Sequence, residues 1–392
     1  MKKVCMVVHA YYPAAETRVR REAEALIDNG FEVDIICLRE GQEKPYETVN
    51  GATIYRLPVR RHRGSGLAIY IVEYLSFFVL SSITLTINFM KKRYNAVQVH
   101  NLPDFLVFTA FLPRLFGSKV ILDIHDVSPE LFMSKQGSES EGFVVEILKS
   151  LEKLSIWFAD HVITVGEPFA EILRKRHRLG RKLSIVANSA DPKLFDSENY
   201  PAQNEHSKRK FVVMYHGSLF GRYGIDVAIN AIYLVKDRLP NIVFEIYGRG
   251  EAFGGLRRLI SDLRLWNYVH LVGYVPADEI PRLISIADVG VVPYRKDRFT
   301  DLLFPTKAFE YIVMNTPVMA SRTAAVENVF DDSAVMFFEP GNAEDLAGCI
   351  LQLYRSPEKR DELVRMAEEQ YEKLSWELVS KRYCELLTSI VK

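Results

Sequence analysis

Apolar residues along this chain fall into short unbroken runs separated by stretches of helical period, a pattern that predicts alternating strands and helices from end to end. Residues 4–9 form the first run. Residues 17–29 then place Val19, Ala23, Leu26 and Ile27 on one helical face, Gly30 stops that helix, and 32–38 supplies the next strand. Further strands are predicted at 53–57, 96–100, 119–124, 161–165 and 183–186, with helices between most of them, including 146–159 and 168–175. Strands that read as continuous apolar runs belong to parallel sheets covered on both faces.

Residues 196–210, DSENYPAQNEHSKRK, turn polar and predict a linker, with an ordinary surface loop as the other reading. A second series follows, with strands at 211–216, 242–247, 269–272, 289–293 and 317–321 and helices at 224–237, 253–263, 280–287 and 305–314. Residues 343–354 and 357–391 are helical throughout, which exceeds what one sheet needs, so the last helix is expected to cross back and brace the first domain. The expected organisation is α/β: a Rossmann-like domain at 1–195, the linker at 196–210, a second Rossmann-like domain at 211–370, and a crossover helix at 371–392.

A length of 392 residues accommodates two such cores. Lys plus Arg and Asp plus Glu balance at 50 each, and residues 1–190 carry 25 basic against 21 acidic groups, which argues against general nucleic-acid binding while allowing a local basic surface. Cys5, Cys37, Cys349 and Cys384 lack ligand spacing and read as buried thiols in a reducing compartment. The start, MKKVCMVVHAYYP, resembles a short signal peptide, but a charged helix follows at once with no cleavage site, so it reads as the first strand and the protein as cytoplasmic.

The segment YRKDRFTDLLFPTKAFEYIVMNTPVMAS at 294–321 places Lys307 and Glu310 one turn apart inside a helix opened by Pro305, directly after a strand. Backbone N–H groups and a lysine there suit a diphosphate, while the carboxylate suits a ribose diol. At 215–224, YHGSLFGRYG, a turn with Gly217, Ser218 and Gly221 lies between strand and helix where it can approach a phosphate, and Arg222 adds a fork of donors. Gly248 in YGRGE at 247–251 is a weaker signal that plain turn geometry explains nearly as well, and VGYVP at 272–276 offers Tyr274 and Val275 to a base, or is simply a strand leading through a turn into a helix.

In the first half, DIHDVSPE at 123–130 brings Asp123, His125 and Asp126 to a strand end, an unusual concentration for simple packing. These residues offer oxygen and nitrogen ligands, yet no second cluster completes a site, which favours a metal-independent enzyme with no cofactor. In HAYYPAAETRVRR at 9–21, Glu16 and Arg18 are expected on the acceptor side, Arg20 and Arg21 toward solvent, and Thr17 as helix cap. LPVRRHR at 57–63 precedes an apolar span at 66–89 that contains Glu73 and Asn88 and ends on Lys91, Lys92 and Arg93. It reads as a helix dipping into an anionic membrane surface, with a protein-packed helix and a true span as the other readings.

Five segments in this order, PAAETRVRREAEAL at 13–26, LDIHDVSPE at 122–130, YHGSLFGRYGIDVAINA at 215–231, VHLVGYVPADEIPRLISIADVGVVPY at 269–294 and FPTKAFEYIVMNTPVMAS at 304–321, resemble the retaining GT-B glycosyltransferases of family 4. Members that build bacterial capsule, exopolysaccharide or lipopolysaccharide are the most similar.

The resemblance implies two facing Rossmann-like domains and transfer from a UDP- or GDP-sugar to a saccharide or lipid-linked acceptor, with a sugar-nucleotide hydrolase or epimerase, or a noncatalytic nucleotide-binding partner, as alternatives. It implies donor contacts from Gly217, Ser218, Gly221, Arg222, Gly248, Tyr274, Val275, Lys307 and Glu310, and catalytic roles for His125, Asp126, Arg222 and Lys307. Glu310 matches the second glutamate of the family's pair, whereas the first is Leu302 here, so Asp301 or the backbone of Leu303 and Phe304 is expected to replace its sugar contact. Ser218 stands where the family has arginine, Tyr223 where it has lysine, and Ala14 and Ala15 where it has glycines.

Overall fold

The computed structural model describes residues 1–13, 16–62, 67–136, 142–200 and 210–392. The loop at Ala14 and Ala15, Arg63 of the basic segment, and most of the expected linker lie outside the described residues. The chain divides into two compact units, Met1–Asn188 with Glu377–Lys392, and Ser189–Trp376.

The first unit runs β1 (Lys3–Tyr11), α1 (Thr17–Asp28), β2 (Glu32–Leu38), β3 (Tyr46–Val49), β4 (Ala52–Leu57), α2 (Leu67–Lys92), β5 (Ala96–His100), a 3₁₀ turn (Asp104–Ala110), α3 (Phe111–Leu115), β6 (Lys119–Ile124), α4 (Ser128–Gln136), α5 (Phe143–Phe158), β7 (His161–Thr164), α6 (Glu167–Arg176) and β8 (Leu183–Ile185). Its sheet has the order β3-β4-β2-β1-β5-β6-β7-β8, parallel except for β3 against β4. The order reverses between β1 and β5, which opens a crevice at their carboxyl ends. The edge strand β3 is absent from the sequence reading because YETV alternates in exposure and has no apolar run. Its turn was nonetheless written in the sequence: Val49 pairs with Ala52 across Asn50 and Gly51, at φ 49° and 83°, the Asn-Gly hairpin connection.

Helix α1 is covered on two sides, which corrects the expectation for its arginines. Arg21 is buried and Arg20 half-buried; the C-terminal helix α14 (Trp376–Ile390) lies against another part of α1, with the Cys384 thiol donating to the Ala25 carbonyl at 3.4 Å. The cap position falls at Glu16, with Thr17 the first helical residue. Helix α2 buries the narrow stripe Glu73, Phe77, Ser81, Leu85 and Phe89, spaced every four residues. Glu73, the charge that interrupts the apolar span, thus points inward, where it accepts from the His62 N–H at 2.7 Å.

The second unit runs β9 (Phe211–His216), α7 (Ile225–Val235), β10 (Ile242–Tyr247), α8 (Phe253–Asp262), β11 (Val269–Gly273), α9 (Ile280–Ile284), β12 (Val289–Val292), α10 (Thr306–Val313), β13 (Val318–Ser321), α11 (Ala324–Glu327), β14 (Met336–Phe338), α12 (Ala343–Arg355) and α13 (Pro357–Tyr371). Its parallel sheet, β11-β10-β9-β12-β13-β14, is doubly wound and reverses between β9 and β12. Residues just before the polar segment belong with this unit, since Tyr371 hydrogen-bonds Ser189 through its hydroxyl at 2.6 Å. The helical stretch expected at 357–391 is divided by a 3₁₀ turn, Glu372–Leu374, and α14 joins the first unit, its Tyr383 donating to Gln98 at 2.7 Å. All four cysteines are free and buried.

Candidate functional site

In the second unit the loops after β9 and β12 flank the reversal point and bring the predicted residues Gly217, Lys307 and Glu310 together. Gly217 follows β9 at φ 119°, a region that favours glycine, and a Cβ there would lie 3.3 Å from both Cε and Nζ of Lys307. Gly248, at φ 152°, allows the β10 turn to back directly against this loop, for its Cβ would meet the Gly217 carbonyl oxygen at 1.8 Å. The two turns are further tied by Leu219 N–H to Arg249 O at 3.0 Å. Gly248 therefore shapes the Gly217 turn from behind.

Lys307 is buried at the first turn of α10, and its ammonium donates to the hydroxyls of Tyr215 and Tyr294 at 3.2 Å each. The Tyr215 ring lies 4.2 Å from Nζ, and Tyr223 stacks on Tyr294 at 4.5 Å. Tyr223 is thus part of an aromatic wall around Lys307. Burial pushes the Lys307 amine down to about 7, with the Glu310 carboxylate opposing that shift.

His216 lies 3.4 Å from Glu310 but makes no hydrogen bond through Nε2 among the described residues, and burial, aided by the Lys307 charge, lowers its pKa to about 3. It is a neutral neighbour of Glu310, and the close approach is no ion pair. Arg222 sits in the 3₁₀ turn that opens at Gly221, its guanidinium 5.1 Å from the Phe220 ring and 5.8 Å from Phe299, and its buried Nε has no hydrogen bond among the described residues. Ser218 is exposed, its carbonyl accepting from the Tyr215 hydroxyl at 2.7 Å. Tyr274 is 62% exposed at the end of β11, with the Arg249 guanidinium 4.6 Å over its ring, and Val275 beside it is half-buried.

Of the residues expected to replace the missing first glutamate, Asp301 and Leu303 have local partners. Asp301 accepts from Ala324 N–H at 2.8 Å, capping α11, and pairs with Lys296 at 3.3 Å. The Leu303 N–H is given to the Phe299 carbonyl at 3.0 Å, and the Phe304 ring stacks on Phe309 at 4.2 Å. Asp301 Oδ1 and the Leu303 N–H are thus engaged locally.

In the first unit the site is a buried network at the carboxyl ends of β5 and β6. Arg18 grips Asp123 through Nε and Nη2 at 3.2 Å each, pairs with Glu22 at 3.0 Å, and donates to the Val186 carbonyl at 2.8 Å and to Asn188 at 3.1 Å. This corrects its expected place facing an acceptor: the guanidinium is consumed holding Asp123 and Glu22. Gln98 joins Glu22 at 2.8 Å to Tyr383 of α14, and His125 lies 3.1 Å from Asp123. For Asp123, burial opposes ionisation, yet Arg18 and His125 hold its carboxyl well below the usual range. For His125, burial opposes charging, but Asp123 outweighs it and raises the imidazole.

Asn101 fixes the loop that carries His125, accepting its N–H at 2.8 Å and donating to the Asp126 carbonyl at 2.7 Å. Glu16 is half-buried and near enough to help raise His125. His100, Gln98 and Asn101 escaped the sequence reading; the signal was a glutamine and a terminal histidine inside the doubly buried strand AVQVH.

His100, Asp123 and His125 place potential ligand atoms within 4.8 Å of one another. Both Asp123 oxygens already serve Arg18, so a divalent ion would sit beside a guanidinium on a shared carboxylate. The residue set does not fit a resident metal.

Two family models divide the chain between them, a glycosyl transferase 4-like domain at residues 14–189 and glycosyl transferases group 1 at residues 196–370. The chain belongs to the GT-B glycosyltransferases related to family 4. An uncharacterized glycosyltransferase of Methanocaldococcus jannaschii is 24% identical over 395 residues, covering 97% of this chain and 96% of the relative. The fold matches sucrose-phosphate synthase from Thermosynechococcus elongatus with a TM-score of 0.80 at 19% identity, covering 100% and 99% of the two chains. It also matches Anabaena HepE, solved in complex with UDP-glucose, with a TM-score of 0.73 at 14% identity and coverage of 99% and 100%. As a GT-B transferase the chain is an enzyme that moves a sugar from a nucleotide-sugar donor.

Proposed function

We propose that this glycosyltransferase carries out retaining transfer from a UDP- or GDP-sugar to a saccharide or lipid-linked acceptor in bacterial cell-surface polysaccharide synthesis, in the cytoplasm and at the inner face of the cell membrane. The observation that carries the reading is Lys307, a buried ammonium at the amino end of α10 lying against the Gly217 turn, with Glu310 one turn further on. Buried cations are kept where an anion is to be met. HepE, solved with UDP-glucose, makes UDP the first donor base to test.

The diphosphate rests on Lys307, the amides of the first turn of α10 and the Gly217 turn, while Glu310 accepts from the ribose hydroxyls. Arg222, with its unused Nε donor, adds charge as the diphosphate departs. Tyr274 and Val275 flank the base. In the same-face reaction the bond from the anomeric carbon to the diphosphate oxygen breaks and a bond to the acceptor hydroxyl oxygen forms. The hydroxyl proton passes to the departing phosphate. On the first unit, His125 and Asp126 orient the acceptor, and Arg18 keeps Asp123 ionised so that His125 stays in place.

Glu310→Ala should weaken UDP-sugar or GDP-sugar binding by about tenfold through lost ribose contacts while leaving the melting temperature near that of the parent. Unchanged donor affinity and turnover would remove Glu310 from the site. A turnover screen across nucleotide sugars, with the product anomer read by NMR, tests the reaction: net inversion, or hydrolysis as fast without acceptor as with one, contradicts it.

A further inference from the structure

We propose that the apolar face shared by α2, α3 and α5 is a docking surface on which the first unit lies against an anionic phospholipid bilayer. It rests on the placement of the enzyme at a membrane and extends the surface beyond the single span at 66–89.

Most of the exposed large apolar side chains among the described residues gather on these helices. On α2, Val72, Leu75, Val79, Ile83, Ile87 and Met90 form an outer stripe, each about half exposed or more, opposite the stripe buried against the sheet. On α3, Leu115 and Phe116 beside it are 65% and 67% exposed; on α5, Phe143 and Trp157 are 82% and 73% exposed. Aromatic contacts hold the three helices side by side: buried Phe89 of α2 lies 6.2 Å from Phe116, and Phe111 of α3 stacks on buried Phe158 of α5 at 6.4 Å. Exposed apolar side chains gathered on neighbouring helices mark an interaction surface.

Charge selects the occupant. Exposed Arg60 and Arg61 precede α2, and Lys91 and Arg93 end it, so both ends of the stripe are positive. Among the described residues, two nearby acidic groups are already matched, Glu146 with Lys149 at 3.1 Å and Asp160 with Arg114 at 3.5 Å. A second copy laid along the stripe in either direction would set positive ends against positive ends, whereas anionic headgroups neutralise both.

Spanning is disfavoured although α2 is long and apolar enough, since Ala68–Lys92 passes that test by length and composition. Its inner stripe holds Glu73, bonded to the His62 N–H, and extraction would strip the sheet of its cover. Large aromatic side chains beside aliphatic ones, rimmed by basic groups, suit insertion to the depth of the headgroup and acyl boundary.

Trp157 supplies the reporter. In a Trp266→Phe, Trp376→Phe protein it is the remaining indole, and mixed phosphatidylglycerol and phosphatidylcholine vesicles should shift its emission to the blue and expose it to brominated acyl chains. Pure phosphatidylcholine should do so less. Ile83→Glu with Leu115→Glu should weaken vesicle binding by about tenfold or more while leaving the melting temperature and titration with UDP or GDP unchanged. Emission of Trp157 that anionic vesicles do not move overturns the proposal. So does a dimer in sedimentation that Ile83→Glu dissolves, which assigns the face to a second copy. Because nucleotide titration is read in the same proteins, loss of membrane docking is distinguished from failure of the transferase reading.

Discussion

Gly217 leaves room for Lys307: a Cβ on the glycine would lie 3.3 Å from the lysine Nζ, and the glycine holds φ at 119°. Gly217→Ala therefore strains the turn and presses on the ammonium at once. A cost of about 1–3 kcal/mol should appear chiefly as donor kcat/KM lowered by about tenfold to a hundredfold. Parental donor kinetics in a folded variant would mean that neither the turn nor the lysine meets the donor.

The Lys307 amine, lowered to about 7 by burial against the opposing effect of Glu310, sets a pH dependence whose sign is fixed. Below that pH the ammonium is charged before the nucleotide arrives, so affinity is flat. Above it the amine is neutral, diphosphate binding draws in a proton, and affinity should fall by up to about tenfold per pH unit. Titration at alkaline pH in buffers of different ionisation enthalpy should reveal uptake approaching one proton, and Lys307→Arg should abolish it. The ligand-free protein should behave oppositely in stability. The unfolded chain keeps this proton up to the usual value near 10.5, so this group makes stability rise with pH between about 7 and there.

Arg18 is the cation between two buried carboxylates, Asp123 and Glu22. Arg18→Leu takes the guanidinium from both carboxylates, leaving Asp123 beside His125, and should cost about 3–5 kcal/mol in urea unfolding. Arg18→Lys should cost less, since it keeps charge but loses the paired bonds. Tyr383→Phe removes the 2.7 Å bond to Gln98 and should cost about 1 kcal/mol. A denaturation midpoint for Arg18→Leu equal to the parent's would contradict the network.

What was legible in the sequence follows from range. The strands at 211–216 and 242–247 are observed with those bounds, because parallel strands buried on both faces read as plain apolar runs. Lys307 and Glu310 were legible together because one helical turn separates them. The partnership of Arg18 with Asp123 was not, since it spans 105 positions and needs the sheet to bring its ends together. Asp301 looked available for a sugar because its N–H partner, Ala324, arrives 23 positions later. Glu73 looked like a flaw in an apolar span until the helical period set it in line with Phe77, Ser81 and Leu85.

The most direct test of the account is a titration of UDP and GDP into the parent protein and into Lys307→Met at neutral pH, with melting temperatures recorded for both. One nucleoside diphosphate should bind the parent and lose about a hundredfold in affinity in the variant, a difference of about 3 kcal/mol, with folding retained. Equal affinity in the two folded proteins would place the diphosphate elsewhere and contradict the central claim.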